Sequence, residues 1–156
     1  MAEKTNATRS LTAKKIPFAE HFYGDTGAIA GQDVAAVLGE DENLVFKTLV
    51  TTGKSAKHYV FIVPVCAELD LKKAAAAVGE KSVEMLKAKD LLPLTGYVHG
   101  GCSPIGMKKQ FETVIHSSVC ELSKMYCSGG KIGYQIELSP TDLLKAVPYK
   151  TANIIK

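Results

Sequence analysis

The chain has 156 residues, 46% of them hydrophobic and 22% charged, with a formal net charge of +3. That length and balance fit one domain spanning 1–156 with a single core, and they exclude a disordered chain or a mini-protein that needs disulfides or metal to fold. Arg9 is the one arginine among 19 basic residues, which excludes an arginine-rich nucleic-acid motif but leaves lysines to meet phosphate as point charges.

The opening "MAEKTNATRSLTAKK" has no apolar signal core, and no apolar run approaches the roughly 18 residues that span a membrane, so the expectation is a cytoplasmic protein with reduced thiols. "NATRSLTAKK" (6–15) reads as a first helix stopped before Pro17, and "FAEHFY" (18–23) as extended. Polar and Gly-rich 24–31 reads as a loop. "QDVAAVLG" (32–39) reads as a helix, with Val34, Val37 and Leu38 on one face and Gly39 as its stop. Residues 43–65 read as two strands around a polar turn at 52–57. "LDLKKAAAAVG" (69–79) reads as a helix with Asp70 as N-cap and Gly79 past its end. The pattern is ambiguous over 81–86 and suggests a short helix or turn over 87–94. Strands follow at 112–117 and 131–139. A last helix over 139–147 has Ser139 as N-cap, Pro140 in its first turn and Asp142 three residues after the cap. Pro148 ends it, and 151–155 reads as an edge strand. This order is not a regular strand–helix alternation, so the expectation is an α+β fold around a mixed, mostly antiparallel sheet.

The chemistry centres on "GYVHGGCSPIGMKK" (96–109), too rich in Gly and Pro to be an ordinary helix. Cys102 is the tempting nucleophile, with His99 three residues before it. An active thiol needs a base or a helix N-terminus to lower its pKa, and the sequence offers neither, so Cys102 reads as a small buried hydrophobe. Cys66, Cys102, Cys120 and Cys127 include no C-x-x-C pair, and no combination of them with His21, His58, His99 or His116 matches a zinc-ligand spacing. No metal or cofactor is expected, and P-loop, Rossmann and G-x-S-x-G signatures are missing. Gly100–Gly101 and Ser128–Gly130 read as two Gly-rich turns. Each is either an anion-binding backbone cradle or a tight turn needed for packing alone. Lys47 interrupts the apolar run "NLVFKTLV": it is either a solvated strand-edge residue or a cation at the rim of a pocket.

Four ordered blocks resemble the YbaK/EbsC family, free-standing relatives of the editing domain inserted in bacterial prolyl-tRNA synthetases. They are "VFKTLV", "ELDLKKAAAAVG", "TGYVHGGCSPIGMKK" and "YCSGGKIGYQIELSPTDLLK", and the likeness covers roughly residues 16–147. The resemblance implies a curved, partly barrel-like mixed sheet with flanking helices. It also implies a trans-editing hydrolase that deacylates mischarged tRNA, with Cys-tRNA(Pro) as leading substrate and alanine or another small amino acid as the alternative. The implied partners are tRNA, tRNA-Pro in the family pattern, and prolyl-tRNA synthetase, with neither membrane nor DNA involved. Carried over by position, Lys47, Gly100 and Gly101 are the implied catalytic residues, and Tyr23, Ala30, Thr48, Ser128, Gly129 and Gln135 the implied substrate-binding ones. In the cysteine-specific type the substrate's own thiol is pictured as the nucleophile. Gln135 stands where cysteine-editing members often carry an acid, and Ala30 where they often carry an aromatic. Two other readings of the residues remain: a tRNA- or synthetase-binding module without turnover, and a hydrolase acting through Cys102.

Overall fold

The structure, a computed structural model, describes residues 5–28 and 31–156. Its centre is the run "HYVFIVP", which forms β3 (His58–Pro64). A continuous apolar run suits a strand covered on both faces, and alternate side chains do enter two different cores. Val60 and Ile62 join the larger one, while Tyr59, Phe61 and Val63 join a second one. β3 pairs antiparallel with β2 (Phe46–Gly53). The hairpin expected over 43–65 is therefore present, with a tighter tip than 52–57.

The ambiguous stretch 81–86 contributes β4 (Val83–Met85), antiparallel to the far end of β2. On the other side of β3, β5 (Glu112–His116) and β8 (Tyr149–Ala152) add in parallel, giving the order β4-β2-β3-β5-β8. The final strand thus begins before the expected 151–155, directly after Pro148. A second, three-stranded antiparallel sheet has the order β1-β7-β6, from β1 (Ala19–Phe22), β6 (Met125–Lys131) and β7 (Tyr134–Leu138). A single parallel bridge, Val45 to Tyr126, joins the two sheets. The α+β architecture with mixed sheets agrees with the sequence reading.

The helices follow their caps. α1 (Asn6–Ala13) starts in a reciprocal capping box between Thr5 and Thr8 and ends two residues short of the expected 15. α2 (Gly31–Leu38) buries Val34 and Ala35, whereas Val37, expected on the inner face, is 49% exposed. In α3 (Leu71–Val78) the Asp70 carboxylate accepts from Lys72 N and Lys73 N, and Gly79 takes φ +72° at the far end. α4 is Ala88–Thr95, and α5 (Pro140–Ala146) has its Ser139 cap bonded to Asp142 N. Glycines enriched at such ends supply the left-handed backbone that other residues resist.

One reading is corrected. Ser128–Gly130 is not a turn beside a strand but part of β6, whose register against β7 shifts between Ser128 and Lys131 as a bulge. The true reversal lies beyond it, between Lys131 and Tyr134. Side-chain packing explains the glycines here: a Cβ on Gly129 would come 2.5 Å from the Tyr134 ring, and one on Gly130, at φ +100°, 2.9 Å from the Tyr97 ring.

Candidate active site

β4 pairs only with Thr51–Gly53, so the earlier half of β2 has no strand neighbour on that side. This open edge faces the β6–β7 pair, α2, and the β4–α4 connection, and between them lies a cleft of about 800 Å³. Its floor is apolar, from Val34, Val45, Val50, Leu86 and Leu91. A few polar groups converge on it from separate elements, the usual composition of a small-molecule site.

Lys47 lines the cleft from the open edge of β2, half-buried, and its side chain has no hydrogen bond or ion pair among the described residues. Lys47 is therefore a strand-edge lysine whose edge is the wall of a cleft. Thr48 lines it next, and its Oγ1 is buried with no hydrogen-bond partner among the described residues. Across the cleft, Gln135 on β7 is 3% exposed. Its Nε2 donates to Glu40 Oε1 at 2.9 Å, while its Oε1 is buried without a partner among the described residues. An unmatched buried polar atom costs about 1–3 kcal/mol, so Thr48 Oγ1 and Gln135 Oε1 are candidates for a ligand's hydrogen bonds, whereas Ser118 Oγ, unmatched too among the described residues, belongs to a residue outside the cleft lining.

Tyr23, buried, lines the cleft at the end of β1, and burial pushes its phenol above the ordinary range. Ser128 also lines it, and its Oγ accepts from Gly130 N at 3.1 Å. Gly129 lies behind Ser128, buried under Tyr134, outside the lining. Ala30 lies outside the described residues.

The paired glycines of the 96–109 run, Gly100 and Gly101, divide their duties. Val98–Gly101 is a β-turn closed by Gly101 N donating to Val98 O at 3.0 Å, with Gly100 at φ +87° in the third position, which demands glycine. Gly101 N–H is therefore engaged within the turn. Gly100 lines the cleft, and its N–H has no protein acceptor among the described residues. Gly101 is buried just outside, where a Cβ would stand 2.9 Å from Ile132 N.

Cys102 and Cys127 line the cleft too, and burial pushes both thiols up to about 12. A thiol at that value holds no useful thiolate near neutrality, so the nucleophile reading of Cys102 loses its chemical basis. Among the described residues no three His, Cys, Asp or Glu side chains gather as a metal-holding group.

Residue-by-residue reading missed three groups at this site. His99 lines the cleft beside Gly100, and Asp33 lines it from α2. Glu40 stands behind Gln135, with His21 and Glu137 paired at 3.0 Å nearby. His99 sat inside the quoted run and could have been found there. Nothing local announces that Glu40 reaches a residue 95 positions away.

A family model described as the aminoacyl-tRNA editing domain matches residues 27–146. The chain is 44% identical over 153 residues to EbsC of Enterococcus faecalis, a candidate Cys-tRNA(Pro)/Cys-tRNA(Cys) deacylase, covering 97% of this chain and 93% of that one. It is 24% identical over 119 residues to the uncharacterised YwhH of Bacillus subtilis, covering 76% of this chain and 75% of that one. A solved structure of a candidate trans-editing enzyme for prolyl-tRNA synthetase superposes with a TM-score of 0.84 at 20% identity, covering 99% of each chain; at that identity the likeness is one of fold.

Proposed function

Since the chain belongs to the aminoacyl-tRNA editing domain family, we propose that it is a trans-editing hydrolase that removes the wrong amino acid from a mischarged tRNA, with Cys-tRNA(Pro) as its leading substrate. The observation that carries this reading is the cleft itself. Among the described residues it offers the Lys47 cation, two buried polar atoms without partners and the Gly100 N–H without a protein acceptor, and neither of its cysteines is an activated nucleophile.

Such a set is suited to holding an ester in place while charge develops on its carbonyl oxygen. Lys47 orients the 3′ end of the tRNA and, with Gly100 N–H, steadies the oxyanion. Thr48, Ser128 and Tyr23 position the aminoacyl group, and Gln135 Oε1 accepts from one of its donors. Gly101 braces the turn. With cysteine as cargo, the substrate thiol attacks its own carbonyl carbon, the ester C–O bond breaks, and the ribose hydroxyl receives the proton the thiol loses. Water then opens the resulting thiolactone to free cysteine. With alanine, the competing small substrate, water must attack the ester directly.

The proposed site of action is the cytoplasm, where a mischarged tRNA would be met. No helix among the described residues is long and apolar enough to cross a membrane. A net charge of +3 makes tRNA binding by the isolated protein weak and salt-sensitive, and prolyl-tRNA synthetase is the partner that supplies tRNA identity. The test is a panel of tRNA(Pro) charged with Cys, Ala, Ser and Pro. Release of cysteine faster than of serine supports the thiol-assisted route. Equal rates for Cys and Ser remove that route, and tRNA binding without hydrolysis of any ester overturns the deacylase reading in favour of a binding module.

A further inference from the structure

Gln135 is an amide where a substrate-facing acid would be simpler, and an amide has two unlike ends. Which end faces outward is decided by its neighbours. Here the neighbour is the Glu40 carboxylate, which only accepts. The –NH2 end of Gln135 donates to it at 2.9 Å, and the opposite orientation would set the amide oxygen against carboxylate oxygen. The carbonyl oxygen is then the end without a protein partner among the described residues, on a side chain 97% withdrawn from solvent by its 3% exposure and lining the cleft.

Glu40 is itself firmly placed. Gly39 ends α2 at φ +67°, and the next N–H, that of Glu40, returns to Ala35 O at 2.9 Å, closing a Schellman motif. Ser128 lies directly across from Gln135 in the β6–β7 ladder, and His21 directly across in the β1–β7 ladder, so the amide has fixed flanks on both sides.

We propose that Glu40 is a positioning residue of the cleft: it holds the Gln135 amide with its oxygen turned to the substrate, and so makes that oxygen the acceptor for the α-ammonium group of the aminoacyl ester. This rests on the deacylase reading. The neutral amide alone has no preference for a cation; the carboxylate behind it supplies the negative potential, set against Lys124 and the His21–Glu137 pair, the other charged groups around it. Selection is thus for a free amino acid ester over one whose nitrogen is acylated.

The test compares cysteinyl-tRNA(Pro) with the same tRNA carrying N-acetylcysteine, on the full chain and on Glu40→Gln and Glu40→Met. Glu40→Met removes the acceptor at similar size, and should raise KM for the free ester about tenfold with kcat little changed, the size expected for losing a hydrogen bond to a charged group. Glu40→Gln can still accept but no longer enforces one amide orientation, so its KM should fall between the two. Discrimination against the N-acetyl ester should shrink in the same order, which a purely steric effect would not do. In a Gln135→Leu background, Glu40→Met should have no further effect on KM. Side-chain amide NMR gives a readout independent of catalysis: the Gln135 NH2 protons should be slow to exchange in the parent and fast in Glu40→Met. An unchanged KM in Glu40→Met, an equal rise in the Gln135→Leu background, or amide signals indifferent to Glu40 would each overturn the inference while hydrolysis by the parent continues. A parent protein that hydrolyses neither ester would overturn the deacylase reading itself, and this inference with it.

Discussion

Two helices of this protein end in the same way and use the ending differently. α2 closes with Val37-Leu38-Gly39-Glu40, and α3 with Ala77-Val78-Gly79-Glu80. Both glycines are left-handed, at φ +67° and +72°, and both glutamate N–H groups reach back five residues, at 2.9 and 3.0 Å. An acid at a helix C-terminus meets the negative end of the helix dipole, so each glutamate needs a partner to justify its place. Glu80 finds a closed set: its carboxylate accepts from Ser55 N, Ser55 Oγ and Tyr59 Oη, and every donor there is satisfied. Glu40 finds Gln135, whose other end is left unmatched among the described residues. The same local device fastens a hairpin tip in one place and backs a wall of the cleft in the other. At these two helix ends, polar satisfaction separates the closed contact from the one that borders the cleft.

If that division is right, changes on the open side should cost activity and those on the closed side should not. The largest effect is expected at Lys47. Lys47→Ala should lower deacylation about 10²–10³-fold, the range for removing one donor to developing charge, with an unchanged circular dichroism spectrum. An active, folded Lys47→Ala would dissolve the contrast. Next comes Gly101→Ala. Its Cβ would meet the backbone of Lys131 and Ile132 at 2.9–3.1 Å, so the turn must shift by a few tenths of an ångström. We expect about a tenfold loss of kcat from the displaced Gly100 N–H, read in single-turnover assays. Cys102→Ala, by contrast, should keep most of its activity and lose about 1 kcal/mol in urea unfolding, from a small cavity. A dead but folded Cys102→Ala would restore the thiol as nucleophile.

The smallest effects are in pH dependence, and they have opposite signs at the two helix ends. Bonds from Ser55 and Tyr59 hold the Glu80 carboxyl below the usual carboxylate range. Its contribution to stability is present above that range and is lost as pH falls through the lowered folded value. Glu80→Gln should therefore flatten the acid side of a Tm-against-pH curve and leave deacylation untouched. Burial lifts the Glu40 carboxyl above the usual range, only partly offset by Gln135 and His21. Its contribution is present below the range and is lost as pH rises through the raised value, so Glu40→Gln should slightly raise Tm at neutral pH. A gain in stability alongside a higher KM would show that Glu40 is kept for the substrate.

Much of this architecture was written locally. Asp70, Gly79, Ser139 and Pro140 are cap residues whose chemistry acts within a turn of their own position, and each reads correctly from sequence. The alternation of "HYVFIVP" between two cores was hidden only because both faces are apolar. β6 was less legible: "MYCSGGK" looks like a turn because two glycines look like a turn. They are there because Tyr97, 33 positions from Gly130, and Tyr134, 5 positions from Gly129, press against the strand where a Cβ would sit. Lys47 and Gly100, which both line the cleft, stood out as misfits in their own segments, and the family resemblance singled them out as well. Glu40 did not stand out, because an exposed-looking glutamate after a helix is ordinary until the fold brings Gln135 beside it.

The partnership of β1 with β7 has a consequence for how the protein comes into being. His21 and Glu137, which touch across that ladder, are 116 residues apart along the chain. Loop closure over that span must precede any contact that rewards it, and distant pairings of this kind slow folding. During synthesis, helices such as α3 and the β2–β3 hairpin can form as soon as they emerge. The cleft cannot, because Ser128 and Gln135 reach it only when β6 and β7 have been made and β7 has found β1. A ribosome-bound chain stalled before residue 134 should hold much of its secondary structure and yet offer no formed pocket to an aminoacyl ester.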